Sequence, residues 1–201
     1  MPSISAAERA LTSPFPPGFD PDAPSDTDSL FGLPLGPDEG RVQVIPVPFE
    51  ATASFHRGTA GAPSKILEAS HQVDLHDLET TDAWRAGISM HPTHPEIAGW
   101  NTEASALVQR ALRQGQQGGA QARHDVNETM FKMNAMVERA STDVLDAGAI
   151  PAILGGDHSV ALGGLRAAAQ RYPGLGILQV DAHADLRAAY QGFTYSHASV
   201  F

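Results

Sequence analysis

Two nearly unbroken apolar runs, Ile150-Pro151-Ala152-Ile153-Leu154 and Leu175-Gly176-Ile177-Leu178-Gln179-Val180, flank a segment of helical composition from His158 to Arg171. Strands that are apolar on both faces and joined by a crossover helix predict a βαβ unit, and with it a parallel sheet covered by helices on both sides. Sheets of this kind receive ligands beyond the carboxyl ends of their strands. The densest chemistry of the chain falls there. Gly155-Gly156-Asp157-His158-Ser159 follows the first run, and Asp181-Ala182-His183-Ala184-Asp185 follows the second.

Asp181, His183 and Asp185 stand at i, i+2 and i+4, so a continued strand geometry puts their side chains on one face. The glycine pair lets the chain turn tightly where the preceding strand ends and brings His158 to the entry of the next helix. Taken alone, the first motif reads equally as a turn with Asp157 or Ser159 capping that helix. With Asp-x-His-x-Asp one βα unit later, a metal-ligand role for His158, Asp181, His183 and Asp185 is the expectation. The chain contains no cysteine, so a metal must be held by imidazoles and carboxylates, a donor set suited to Mn²⁺ and its neighbours. A phosphate-binding reading of Gly155-Gly156 is weaker, because no Gly-x-Gly-x-x-Gly or Gly-Lys-Ser/Thr pattern accompanies it.

Upstream, Arg41 to Pro48 is a short β-branched run expected to form a first strand, with Pro46 its one discordant residue. Pro63 to Gln72 predicts a helix, the alternating Val73 to Leu78 a half-buried strand, and Asp125 to Ala147 the longest helix, with Met130 and Met133 filling the core. Between His91 and Arg123 the signals conflict: Trp100 to Arg113 is helical in composition, Gly115 to Gly119 breaks it, and an insertion or surface excursion is expected. Residues 1–40, crowded with Pro, Gly, Ser and Asp, read as an N-terminal arm or disordered lead. Residues 41–201 then form a single domain.

The net charge of -10 leaves no basic stripe for phosphates, which excludes non-specific nucleic-acid binding and favours a small, cationic partner. The first fifteen residues lack the pattern of a secretory leader, and no apolar stretch is long enough to cross a membrane, so a cytoplasmic location is expected.

Both motifs match in full those of the ureohydrolase family of arginases and agmatinases, which the chain resembles from about residue 41 to 201. Val47-Pro48-Phe49 and Ile66-Leu67-Glu68-Ala69-Ser70 resemble the family's first strand, loop and helix. Tyr195-Ser196-His197-Ala198-Ser199-Val200 is similar to the agmatinase version of the segment after the second motif. The resemblance implies a three-layer α/β/α arginase-like fold with a mostly parallel sheet, incomplete on its C-terminal side. It implies two Mn²⁺ ions, with Ni²⁺, Co²⁺ or Zn²⁺ as substitutes. One ion would be held by His158, Asp181 and Asp185, the other by His183 and the bridging Asp181. The ion pair would supply a hydroxide to attack the guanidinium carbon of a linear guanidine, releasing urea and an amine. His197 would transfer a proton or contact substrate, an ordinary surface histidine being the alternative.

Agmatine is the expected substrate; arginine, formimino-glutamate, guanidinobutyrate and guanidine are the other specificities. Trimers or hexamers are implied as well. Two departures stand out. The family's later Ser-x-Asp-x-Asp-x-x-Asp-Pro motif has no counterpart among these residues, and Ala60 occupies the place of a basic residue in the loop Arg57 to Pro63. The chain is therefore expected to be roughly the first two-thirds of such a domain, a fragment or split subunit without activity of its own.

Overall fold

The computed structural model describes residues 14–24, 27–76, 78–80 and 82–201, leaving aside the side chains of 116–118. Residues 1–13, 25 and 26 of the expected arm lie outside the described residues, as does Asp77 in the expected strand at 73–78.

Strand β1 (Val42–Val47) runs parallel to β2 (Ile88–Met90) on one side and β3 (Ile150–Gly155) on the other, giving the order β2-β1-β3. Pro46 sits in the central strand without breaking it. The β2 pairing of β1 ends with the bond from the His91 N–H to the Val44 carbonyl, and the nitrogen of residue 46 points to that same side, past the end of β2. The missing donor therefore costs no ladder bond.

Helices α1 (Ala62–Ser70), α2 (Ile97–Gly118), α3 (Ala120–Asp146) and α4 (Ala161–Arg171) complete the α/β architecture. Ile45 and Val47, on one face of β1, join Ile97, Val108, Val126, Met130, Met133, Val137 and Val160 in the main core. The apolar positions of α3 recur at three- and four-residue steps, so one stripe of the helix is buried along its length. Segment 91–123 is not the expected surface excursion: Ile97, Ala104, Val108 and Ala111 lie in that same core. The helical run is interrupted at Gly115 (φ 68°), and α3 begins five residues earlier than its composition suggests. Across the turn, the Arg123 guanidinium donates to the Ala111 and Gly115 carbonyls near the end of α2, the latter also accepting the Gly119 N–H.

Two expected strands are absent among the described residues. Residues 73–76 and 78 form no ladder, and Val73 and Leu78 are exposed, because alternation without a neighbouring edge cannot make a strand. Segment 175–180 is likewise unpaired, with Leu178 90% and Val180 92% exposed. The outer edge of β3 carries no partner strand among the described residues, and the apolar run does not pair with it. In the described part of the N-terminal stretch, Leu33 and Leu35 join Trp84 in a second small core, with Phe15 and Phe19 set against the Trp84 ring. No helix is long and apolar enough to cross a membrane among the described residues.

Candidate metal centre

β1 and β3 end side by side, and the segments that follow them interlock. The Phe49 carbonyl accepts the Asp157 N–H at 3.0 Å. Gly156 lies so close to it that a Cβ there would fall 1.8 Å from the Phe49 oxygen, a separation no side chain tolerates. The glycine pair thus permits contact as well as turning. Asp157 Oδ2 accepts from the Thr52 N–H at 3.1 Å and the Thr52 hydroxyl at 3.0 Å. Oδ1 accepts from the Ser159 N–H at 3.0 Å and from its hydroxyl. Asp157 is therefore a cap, as one reading of the motif has it, and also a tie to the loop after β1.

With Asp157 occupied inward, His158 reaches outward. Its Nδ1 lies 2.6 Å from Asp185 Oδ2 and 3.5 Å from Asp181 Oδ2. One ligand atom from each of His158, Asp181 and Asp185 falls within 4.8 Å of the others. Convergence is reached by a different route from the expected strand face. Residues 181–185 bend: Asp181 Oδ1 accepts the His183 N–H at 2.8 Å, and Asp185 adopts a left-handed conformation (φ 50°), which a short polar side chain tolerates. The bend leaves His183 outside the group. Its side chain is 82% exposed, and its Nδ1 stands 3.5 Å from Asp181 Oδ1.

The His183 N–H bond, with the imidazoles of His158 and His183 nearby, holds the Asp181 carboxyl below the usual carboxylate range. An ionised, acceptor-only Asp181 beside a second carboxylate and an imidazole nitrogen is a donor set that fits a hard or borderline divalent cation.

His197 sits next to this group through backbone pairing. Leu186 bridges antiparallel to Ser199, and the Val200 N–H donates to the Asp185 carbonyl at 2.9 Å. The His197 ring meets Tyr190 edge-on at 5.6 Å and lies 3.3 Å, through Nδ1, from the Thr52 hydroxyl. Its Nε2 is 3.4 Å from the Ser54 hydroxyl. Thr52 and Ser54 were invisible to motif reading, since single hydroxyls in a loop carry no spacing signal. Only their position just after the first strand's resembling segment marked the region.

Glu50 closes the same loop, its Oε2 accepting from the Gly58 N–H (2.7 Å), the Thr59 hydroxyl (2.9 Å) and the Ala60 N–H (3.1 Å). Burial raises the pKa of this carboxyl, but the bonds from Ala60, Gly58 and Thr59 together outweigh it and hold the group low. His56 is exposed against Phe55, while His91 and His71 make contacts remote from the ligand group, with Gln43 and the Ser29 carbonyl.

Comparison with known proteins gives this geometry a lineage. The arginase family model matches residues 40–201. An N(1)-aminopropylagmatine ureohydrolase of Thermus thermophilus is 33% identical over 82% of this chain and 46% of its own length. The agmatinase of Bacillus anthracis is 28% identical over 81% and 46%. The crystal structure of agmatine ureohydrolase of Thermoplasma volcanium superposes with a TM-score of 0.56 at 23% identity, covering 89% of this chain and 49% of that one. The chain spans about half the length of these relatives, less than the expected two-thirds. A match that takes in both motifs, the loop after β1 and the α/β architecture together leaves one assignment: the chain belongs to the arginase family.

Proposed function

We propose that this chain supplies the first part of the active site of a ureohydrolase that splits a linear guanidine, agmatine foremost, into urea and an amine. The observation that carries the proposal is the convergence of His158, Asp181 and Asp185 beside the loop that bears His197. The similarity to relatives named for agmatine and aminopropylagmatine supports this substrate class.

His158, Asp181 and Asp185 would hold a divalent cation, Mn²⁺ by preference, with His183 swinging in from its exposed position toward a second. Such a pair supplies Lewis acidity and makes water nucleophilic at neutral pH. His197, carried by the segment whose Val200 N–H donates to the Asp185 carbonyl, would take up a proton at Nε2 from the attacking water and pass it on to the departing amine. Three convergent donors hold one ion, and a pair of ions needs further carboxylates. The 201-residue chain accordingly binds a single Mn²⁺ and releases no urea from agmatine on its own.

Isothermal titration with Mn²⁺ tests the first half: one site in the native chain, and at least tenfold weaker binding in Asp185→Asn. A urea assay with agmatine tests the second. Absence of binding would remove the metal reading, and turnover by this chain alone would overturn the division of the site.

A further inference from the structure

Thr52 belongs to no ligand motif, yet its hydroxyl stands between Asp157 and His197. It lies 3.0 Å from Asp157 Oδ2, 3.1 Å from the His197 backbone nitrogen and 3.3 Å from His197 Nδ1. A threonine hydroxyl has one proton to donate and two lone pairs to accept with. Two of its three neighbours decide where that proton goes. The backbone N–H can only donate, so the hydroxyl accepts there. The Asp157 carboxylate already receives the Thr52 N–H and both donors of Ser159. A hydroxyl bond to a carboxylate is roughly twice as strong as one to a neutral acceptor. The proton therefore goes to Asp157, the nearer as well as the charged partner. What remains of Thr52 is a second lone pair, and it faces Nδ1.

We infer that Thr52 is a positioning residue that holds the neutral His197 ring in its Nδ1–H tautomer, leaving the lone pair on Nε2. The inference rests on His197 being the proton-transfer group proposed above. Nε2 is the nitrogen beside Ser54, on the open side of the loop, where the Ser54 hydroxyl can donate to it and a substrate group can displace that hydroxyl. The Tyr190 ring, edge-on to the imidazole, limits rotation about the same axis. An unrestrained histidine side chain favours the opposite tautomer, with the proton on Nε2. Such a ring would present a donor where proton transfer requires a base. The arrangement also links the two strand-end segments to the His197 loop: Asp157 belongs to the metal motif after β3, Thr52 to the loop after β1, and His197 to the segment 145 residues further on.

The test is the tautomer itself. The chain labelled with ¹⁵N-histidine is observed by long-range ¹H–¹⁵N correlation above the histidine pKa, with His197→Gln identifying the signal. Wild type is expected to carry its proton on Nδ1. Thr52→Val, nearly equal in shape, moves it to Nε2, and Thr52→Ser returns it to Nδ1. An Nε2–H signal in wild type overturns the inference, and so does an Nδ1–H signal that persists in Thr52→Val. The wild-type spectrum decides even where the valine variant fails to fold. Because the readout is independent of metal and of urea release, a failed guanidine assay leaves this result standing, and a failed tautomer leaves the hydrolase reading standing.

Discussion

At the scale of single residues, the site depends on backbone contact as much as on ligands. Gly156 presses on the Phe49 carbonyl, so Gly156→Ala must push the β1 and β3 ends apart. Over-packing of this kind costs roughly 1–3 kcal/mol. Urea denaturation should register that loss, and Mn²⁺ titration should weaken in the same variant, because His158 is two residues away. Glu50 gives a pH-dependent counterpart. Its carboxyl is held below the ordinary glutamate range in the folded chain, so its contribution is fully present above the unfolded pKa and fades as pH falls through the lowered value. Stability measured from neutral pH into the acid range should show wild type losing its advantage over Glu50→Gln in that window. A constant difference between the two would contradict the loop-closing role. Both motifs of the candidate metal centre were legible as sequence because ligand chemistry demands particular residue types at short spacing. Thr52, Ser54 and the tie through Asp157 were not, since hydroxyls become specific only when a fold brings distant segments together.

At the scale of elements, sequence periodicity succeeded where burial is settled by neighbours within the chain. The stripe on α3 and the β-branched run of β1 were readable for that reason, and Met130 and Met133 are core residues as expected. The run at 175–180 has the same apolar character as β3 but pairs with no strand among the described residues, so composition alone overstated it. The contact between α3 and α4 was also hidden. Gly163 packs so closely on α3 that a Cβ would lie 2.4 Å from the Asn134 carbonyl oxygen. Its N–H, one of the unpaired donors in the first turn of α4, is accepted by the buried Asn134 side chain at 3.1 Å. A polar residue in the middle of an apolar stripe looks like an error until the neighbouring helix start supplies its partner. Asn134→Ala strands that N–H away from water, at a cost of roughly 1–3 kcal/mol. Chemical denaturation should detect it, with the helical circular dichroism of the folded state unchanged.

At the scale of the whole molecule, Leu175, Ile177, Leu178, Val180 and Leu186 form an exposed apolar tract around the Asp181–Asp185 segment, and Ile150 is exposed at the start of β3. Unpaired strand edges next to exposed aliphatic side chains drive association between copies. Sedimentation velocity over a range of concentrations should reveal reversible self-association, and Leu178→Lys should reduce it without altering Mn²⁺ affinity.

The tie between Thr52 and Asp157 joins residues 105 positions apart, and the β1 and β3 ladder closes a loop of similar size. Connections of that span set the order of events during folding, because the entropy of closing a long loop must be overcome before its contacts can form. A cation meeting the unfolded chain therefore finds scattered carboxylates and no pocket. If the proposed site binds Mn²⁺, capture comes late, after the first and third strands have found each other, and Mn²⁺ added to a refolding reaction should slow unfolding far more than it speeds folding.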